Sequence, residues 1–219
     1  MSLRINDIAP DFTAETTLGP IRFHEWIGDG WAVMFSHPKD FTPVCTTELG
    51  RVAALADEFA RRGVKIIGIS VDPVEEHRKW KADIAAATGA DVDYPLIGDP
   101  ELKVAKLYDM LPAEAGDSAQ GRTAADNATV RTVFVIGPDK RIKMQLSYPM
   151  TTGRNFDELL RVIDSLQLTA AHPVSTPAQW RPGEQVIAAP ALSDGEVEAR
   201  FGAFDRKLSY LRMVDQPEG

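Results

Sequence analysis

The chain holds one cysteine, Cys45, among 219 residues. That scarcity excludes an internal disulfide and a cysteine-rich metal site, and a reducing cytoplasm is the expected compartment. Basic residues are in deficit as well: 24 Lys and Arg face 32 Asp and Glu, a formal charge of −8. A surface of that sign argues against general binding to nucleic acid or to an anionic membrane. No apolar run approaches the ~20 residues of a membrane span. The opening Met1-Ser2-Leu3-Arg4-Ile5-Asn6-Asp7 lacks the apolar core of a secretion signal. Internal repeats and low-complexity tracts are missing too. A hydrophobic content of 44% is enough for a sizeable core.

What is present gathers around the cysteine. Trp31-Ala32-Val33-Met34-Phe35 is a short continuous apolar run, the pattern of a buried strand. Downstream, Leu49, Val52, Leu55, Ala56 and Phe59 recur at helical spacing until Gly63. Thr42 stands at the N-cap of this predicted helix, and Pro43 on its first position, where a missing N–H costs nothing. Cys45 therefore falls in the first turn, where unpaired backbone N–H groups and the helix dipole favour a thiolate. The position also predicts an opening to solvent. On count alone, a lone cysteine reads as a small buried hydrophobe.

The rest of the chain frames that stretch. Asp7 to Phe12 reads as a docked arm, and Ile21-Arg22-Phe23-His24 as a short strand in which His24 simply packs or lies at the surface. Val64 to Asp72 is a second buried strand, so strand, helix and strand form a right-handed parallel unit. In such sheets, ligand sites lie at the carboxyl ends of the strands, where the cysteine loop begins. A helix is predicted over 74–88, a strand over 94–97, a helix over 101–110 and a loop over 112–127. Thr129 to Ile136 is a buried strand, Arg141 to Leu146 a half-exposed one, and a helix follows Gly153. Beyond Leu168, prolines at 173, 177, 182 and 190 punctuate a segment with little apolar patterning. A short helix over 196–204 and a strand over 207–212 are predicted there. About fifty residues rarely form a core alone, so this tail is expected to pack on its own domain or on a partner subunit.

Pro38, Thr42 and Cys45 form the pattern Pro-x-x-x-Thr-x-x-Cys. The stretch from Ser36 to Leu49 resembles the peroxidatic loop of the peroxiredoxins, and Phe41-Thr42-Pro43-Val44-Cys45-Thr46-Thr47-Glu48 resembles their one-cysteine subgroup. The resemblance covers essentially the whole chain. It implies an α/β fold, a thioredoxin-like mixed sheet flanked by helices over 1–168, with a small C-terminal extension over 169–219 that contributes to a homodimer. It implies reduction of hydrogen peroxide and organic hydroperoxides through a Cys45 sulfenic acid. With no second cysteine, an external thiol, either glutathione or a redox protein, must resolve that intermediate. No cofactor and no metal are expected; His37 and Cys45 lack the spacing and companions of a zinc site.

Several residues stand out as candidates for the chemistry. Arg131 is a charge inside an apolar strand; it either reaches solvent from the strand end or, as the resemblance implies, lies beside the cysteine and binds thiolate and peroxide. Glu48 is a candidate to orient Arg131, or else lies on a solvated helix face. The Thr42 hydroxyl and the Val44 and Cys45 amides are candidate donors to the breaking O–O bond. Pro38 offers no donor and is expected to shape the pocket. His37 either assists proton transfer or packs, and Arg154 resembles a second family arginine or is surface charge. One departure matters: some animal members carry a Gly-x-Ser-x-Gly lipase-type motif where this chain has Gly28-Asp29-Gly30-Trp31-Ala32. Glycine replaces the serine nucleophile, so lipid hydrolysis by that motif is not expected. Two other classes compete with a peroxidase: a peroxide sensor or holdase whose assembly follows Cys45 oxidation, and a binding module with an inert thiol.

Overall fold

The computed structural model describes residues 3–113 and 128–218, so the loop predicted over 112–127 lies almost wholly outside the described residues. The chain divides into two compact units, Met1–Phe156 and Asp157–Gly219.

In the first unit the arm is pinned by backbone bonds, with Asn6 N donating to Ile142 O at 2.8 Å and Ala9 N to Lys140 O at 2.8 Å. Two short strands, β1 (Thr13–Ala14) and β2 (Ile21–Arg22), pair antiparallel. The strand predicted through His24 stops at Arg22, and α1 (Phe23–Ile27) takes over. Phe23 and Ile27, one turn apart, are buried, which is helical rather than alternating spacing. His24 packs as expected, its Nε2 lying 2.7 Å from Ala9 O.

The central strand is β3 (Trp31–Ser36), followed by α2 (Pro43–Ala54), α3 (Ala56–Arg61) and β4 (Val64–Ser70). The single helix predicted over this stretch is broken at Leu55, where φ −99° and ψ 6° interrupt the ladder, although Phe59 on α3 still reaches the core. Next come α4 (Val74–Thr88), ended by Gly89 in the left-handed region at φ 73°, β5 (Leu96–Gly98) and a short α5 (Lys103–Leu107). The strands β6 (Arg131–Ile136) and β7 (Ile142–Tyr148) close the sheet. Its order is β5-β4-β3-β6-β7. β3 runs parallel to β4 and antiparallel to β6, with Phe35 opposite Gly68 on one side and Val133 on the other. This is the mixed sheet with flanking helices that the sequence implied. Ala32, Met34, Ile67, Ile69, Phe134 and Ile136 fill one face together with Phe23, Tyr108 and Met110. Alternate residues Val33, Phe35, Val133 and Val135 are equally buried on the other face. The whole of β6 is therefore inaccessible, Arg131 included.

The second unit takes in most of α6 (Phe156–Ala171), whereas the extension was expected to begin at 169. It adds β8 (Val174–Ser175), β9 (Val186–Ala188), α7 (Asp194–Phe201), β10 (Asp205–Leu208) and β11 (Leu211–Val214). The four strands pair antiparallel in the order β10-β11-β9-β8. The lone strand predicted over 207–212 is thus a hairpin. The predicted helix starts two residues earlier because Ser193 and Glu196 form a capping box. Despite its length, this unit builds a small core of its own: Leu168, Val174, Trp180, Val186, Ala188, Val197 and Val214.

Candidate active site

Ser36 ends β3, and the loop 37–42 turns the chain into α2. Ser36 Oγ donates to Val130 O at 2.5 Å and accepts from Thr132 N at 3.0 Å, which ties the end of β3 to β6 where no ladder bond reaches. Phe41 takes a left-handed backbone, φ 55°, a conformation that side chains with a Cβ adopt only under constraint. Thr42 is the extended residue before the helix and Pro43 opens it, as the sequence predicts. Its hydroxyl, however, makes no capping bond; it donates to Lys39 O at 2.8 Å. Cys45 lies in the first turn of α2. The expected opening to solvent is not there: the residue is 0% exposed, enclosed because the first turn faces the end of β6.

The group it faces is Arg131, which does not reach solvent from its strand end but is 2% exposed. Its Nη1 lies 3.4 Å from Cys45 Sγ and donates to Glu48 Oε2 at 2.6 Å. Its Nε donates to Met150 O at 2.8 Å, which fixes the plane of the guanidinium. Glu48, one turn along from Cys45 on α2, is buried rather than solvated. Arg154 holds it in a fork: backbone N and Nε reach Oε1 at 2.7 and 2.9 Å, and Nη2 reaches Oε2 at 2.7 Å. Arg154 Nη1 also donates to Thr132 O at 3.0 Å, and the guanidinium lies 5.4 and 5.5 Å from the Phe35 and Phe156 ring centres. Burial would push the Glu48 carboxyl up, but the Arg154 hydrogen bonds and charge, with Arg131 behind them, hold it below its ordinary value. Among the described residues, two guanidinium groups against one carboxylate leave one positive charge in excess beside the sulfur.

His37 belongs to a different group. Its Nε2 lies 2.7 Å from Asp40 Oδ1, and His77 Nδ1 lies 2.6 Å from Asp40 Oδ2. His77 Nε2 in turn meets Ile97 O at 3.0 Å. No hydrogen bond among the described residues joins His37 to Cys45, and His37 Nδ1 is buried without a partner. Burial lowers the His37 pKa and keeps it neutral. The Asp40 carboxyl sits at about 2, burial opposing its ionisation and the hydrogen bonds from His37 and His77 outweighing that. The ligand atoms of this trio lie within 4.8 Å of one another. A tetrahedral zinc ion would space its donors roughly 3.3 Å apart, given bonds of about 2.0–2.1 Å. Contacts of 2.6 and 2.7 Å are proton-sharing distances instead.

Pro38 is buried in the same loop and Val44 is half-buried on α2. Cys45, Glu48, Arg131 and Arg154 thus come together, while His37 joins Asp40 and His77. Asp40, His77 and the Met150 carbonyl are not foreseen from the sequence. His77 had a signal: it shares a helix face with Trp80 and Ile84, at spacings of three and seven, and all three are buried.

A sheet of this topology, with a guanidinium against the cysteine sulfur in the first turn of the helix that follows its central strand, defines a thioredoxin-like thiol enzyme. The chain belongs to the AhpC/TSA family, which matches residues 5–145, and residues 165–203 match the C-terminal domain of 1-Cys peroxiredoxin; it is a one-cysteine peroxiredoxin, a thiol-dependent peroxidase. It is 50% identical to Peroxiredoxin-6 of Rattus norvegicus over 226 residues, 98% of each chain. It is equally 50% identical to the mitochondrial peroxiredoxin PRX1 of Saccharomyces cerevisiae over 213 residues, 97% of this chain and 80% of that one. Among solved structures, a Cys-to-Ser mutant of Peroxiredoxin 6 from Arenicola marina superposes over 100% of both chains with a TM-score of 0.91 at 42% identity. The yeast mitochondrial 1-Cys peroxiredoxin superposes over 97% of this chain and 99% of its own with a TM-score of 0.86 at 47% identity.

Proposed function

We propose that Cys45 is the nucleophile of this peroxidase and that Arg131 is its principal electrostatic partner. The contact of Arg131 Nη1 with Cys45 Sγ, 3.4 Å, carries the reading. The Cys45 thiolate attacks one peroxide oxygen; an S–O bond forms as the O–O bond breaks, and the leaving oxygen takes up a proton and departs as water or an alcohol. Cys45 is oxidised by two electrons to the sulfenic acid and the peroxide is reduced by two. The excess positive charge of Arg131 and Arg154 over Glu48 stabilises the departing oxygen. The Val44 and Cys45 amides supply further donors, the Thr42 hydroxyl joins them only on giving up its bond to Lys39 O, and Pro38 walls the sulfur from water. Glu48 and Arg154 act through Arg131 by fixing it. Since Cys45 is buried, a peroxide enters by displacing the side chains around it.

An external thiol attacks the sulfenic sulfur, releasing water and leaving a mixed disulfide that a second thiol reduces. Glutathione or a thioredoxin-type protein fits this role; the yeast mitochondrial relative resolves its thiol through the glutathione and thioredoxin systems. Hydrogen peroxide and small organic hydroperoxides are the substrates. The second unit contributes to a homodimer, a reading supported by Leu208 and Tyr210, which are 48% and 69% exposed on the hairpin. The lone thiol suits the cytoplasm, although the similarity to a mitochondrial protein admits an organelle.

Rapid mixing of the reduced protein with hydrogen peroxide, followed by mass spectrometry, tests the core of this. One oxygen is added to Cys45 far faster than to free cysteine, and the Cys45→Ser variant takes up none. A rate no better than free cysteine overturns the assignment.

A further inference from the structure

The loop between β3 and α2 is bolted down on the side away from the sulfur. His37 N donates to Ile69 O at 2.9 Å, and His37 O accepts from Thr129 Oγ1 at 2.8 Å. Asp40 N donates to Asp72 Oδ2 at 2.9 Å, an oxygen that Ser70 Oγ also holds at 2.8 Å. The Asp40 carboxylate then takes one donor from the loop itself, His37 Nε2, and one from α4, His77 Nδ1. His77 spends its other nitrogen on Ile97 O in β5. Both nitrogens of His77 thus have a partner, one in the loop and one in β5. A carboxylate and two imidazoles are thereby buried at 3%, 0% and 0% exposure. None of them has a hydrogen bond to Cys45, Glu48, Arg131 or Arg154 among those found in the described residues.

Burying three titratable groups is costly, the more so as His37 Nδ1 has no partner, and the hydrogen bonds that offset this fall on one short segment. The next residue, Phe41, is held in a left-handed conformation at φ 55° with its ring 6.0 Å from Trp80, so the loop does not take this path unaided. Two residues from Asp40 on either side stand Pro38 and Thr42, and the first turn of α2 follows at once.

We propose that Asp40 and His77 are positioning residues for the peroxide reaction: their buried hydrogen-bonded pair clamps the loop so that Pro38, Thr42 and the first turn of α2 present Cys45 to the peroxide at the productive angle. This rests on Cys45 being the peroxidatic nucleophile. A slip of about 1 Å in the reacting geometry costs on the order of 10²-fold in rate. The clamp therefore governs the peroxide reaction more than the intrinsic reactivity of the thiol.

The test compares two second-order rates in the full-length protein: oxidation of Cys45 by hydrogen peroxide and alkylation by iodoacetamide, an agent that needs no oriented partner groups. His77→Leu removes both donors. His77→Asn keeps a donor near the Nδ1 position, and Asp40→Asn removes the carboxylate at constant shape. In His77→Leu and Asp40→Asn the peroxide rate falls roughly 10²-fold while alkylation stays level or rises, and His77→Asn recovers most of the loss. A merely structural role moves both rates together or neither. If folded His77→Leu or Asp40→Asn reacts with peroxide within threefold of the parent, the clamp is overturned while the fast reaction of the parent still upholds Cys45. A parent that is itself slow overturns the Cys45 reading instead. Should His77→Leu fail to fold, Asp40→Asn decides by the same ratio.

Discussion

Arg131 divides one nitrogen, Nη1, between Cys45 Sγ at 3.4 Å and Glu48 Oε2 at 2.6 Å, while its Nε is anchored on Met150 O at 2.8 Å. A lysine carries the charge but not the planar fork, and cannot make these contacts from one rigid group. Arg131→Lys is expected to lower the rate of Cys45 oxidation by hydrogen peroxide roughly 10²-fold or more, the scale of losing one fixed donor in a dry site. Stopped-flow oxidation measures this, and a rate within threefold of the parent would falsify a directional role for the guanidinium.

Glu48 is the only carboxylate bonded to either Arg131 or Arg154 among the described residues. Removing it strands two buried cations, whereas an amide still accepts one hydrogen bond. Glu48→Ala should lose on the order of 3–5 kcal/mol of stability, and Glu48→Gln distinctly less. Urea unfolding followed by circular dichroism reads both; equal losses in the two variants would show that charge pairing is not what stabilises this contact.

Acid should weaken the fold in two stages. Burial holds His37 neutral, so below its ordinary value of 6.5 the unfolded chain takes up a proton that the folded chain refuses, and stability declines as pH falls. Asp40 is depressed from 3.8 to about 2. Its contribution is complete above 3.8 and is lost as pH falls through 2, a change of roughly 2 kcal/mol. Urea midpoints measured from pH 7 to 2.5 should therefore drop below 6.5 and again below 4. In Asp40→Asn the lower limb flattens; a limb parallel to that of the parent would remove Asp40 as its cause.

Gly50 sits where α2 crosses α4, and a Cβ built there would clash with the Thr88 side chain. Thr88 cannot swing aside freely because its hydroxyl donates to Ile84 O at 2.8 Å. Gly50→Ala should cost about 1–3 kcal/mol by overpacking, despite the better helix propensity of alanine. Adding Thr88→Ala should restore much of that loss. Strict additivity of the two substitutions, measured by thermal unfolding, would show that the contact is not the cause.

Much of this molecule was legible as sequence because its signals are local. The apolar run at 31–35, Pro43 behind Thr42 and the Gly89 stop each specify their element from neighbouring residues. What was not legible depends on long-range contacts. Nothing near Thr42 says that its hydroxyl turns back to Lys39, nor does the spacing around Cys45 reveal that β6 seals it from solvent. His37 looked like a neighbour of the cysteine because it is close in sequence. Its ring points instead to Asp40, within reach of a histidine on another helix. The break at Leu55 was hidden because Leu55, Ala56 and Phe59 keep helical spacing through it. The tail misled for a related reason: its core gathers one or two residues from each of five elements and the loop holding Trp180, and no window of sequence contains enough of them to show a pattern.

The separation of Cys45 and Arg131 by 86 residues has a meaning for how the protein is made. At about 5–20 residues per second, Arg131 is polymerised roughly 4–17 s after Cys45. Until β6 pairs with β3, the nascent chain carries an ordinary thiol with no guanidinium beside it. Susceptibility to oxidant is thus acquired at the end of folding, and a ribosome-bound chain passes through a peroxide-rich moment with its nucleophile still unarmed.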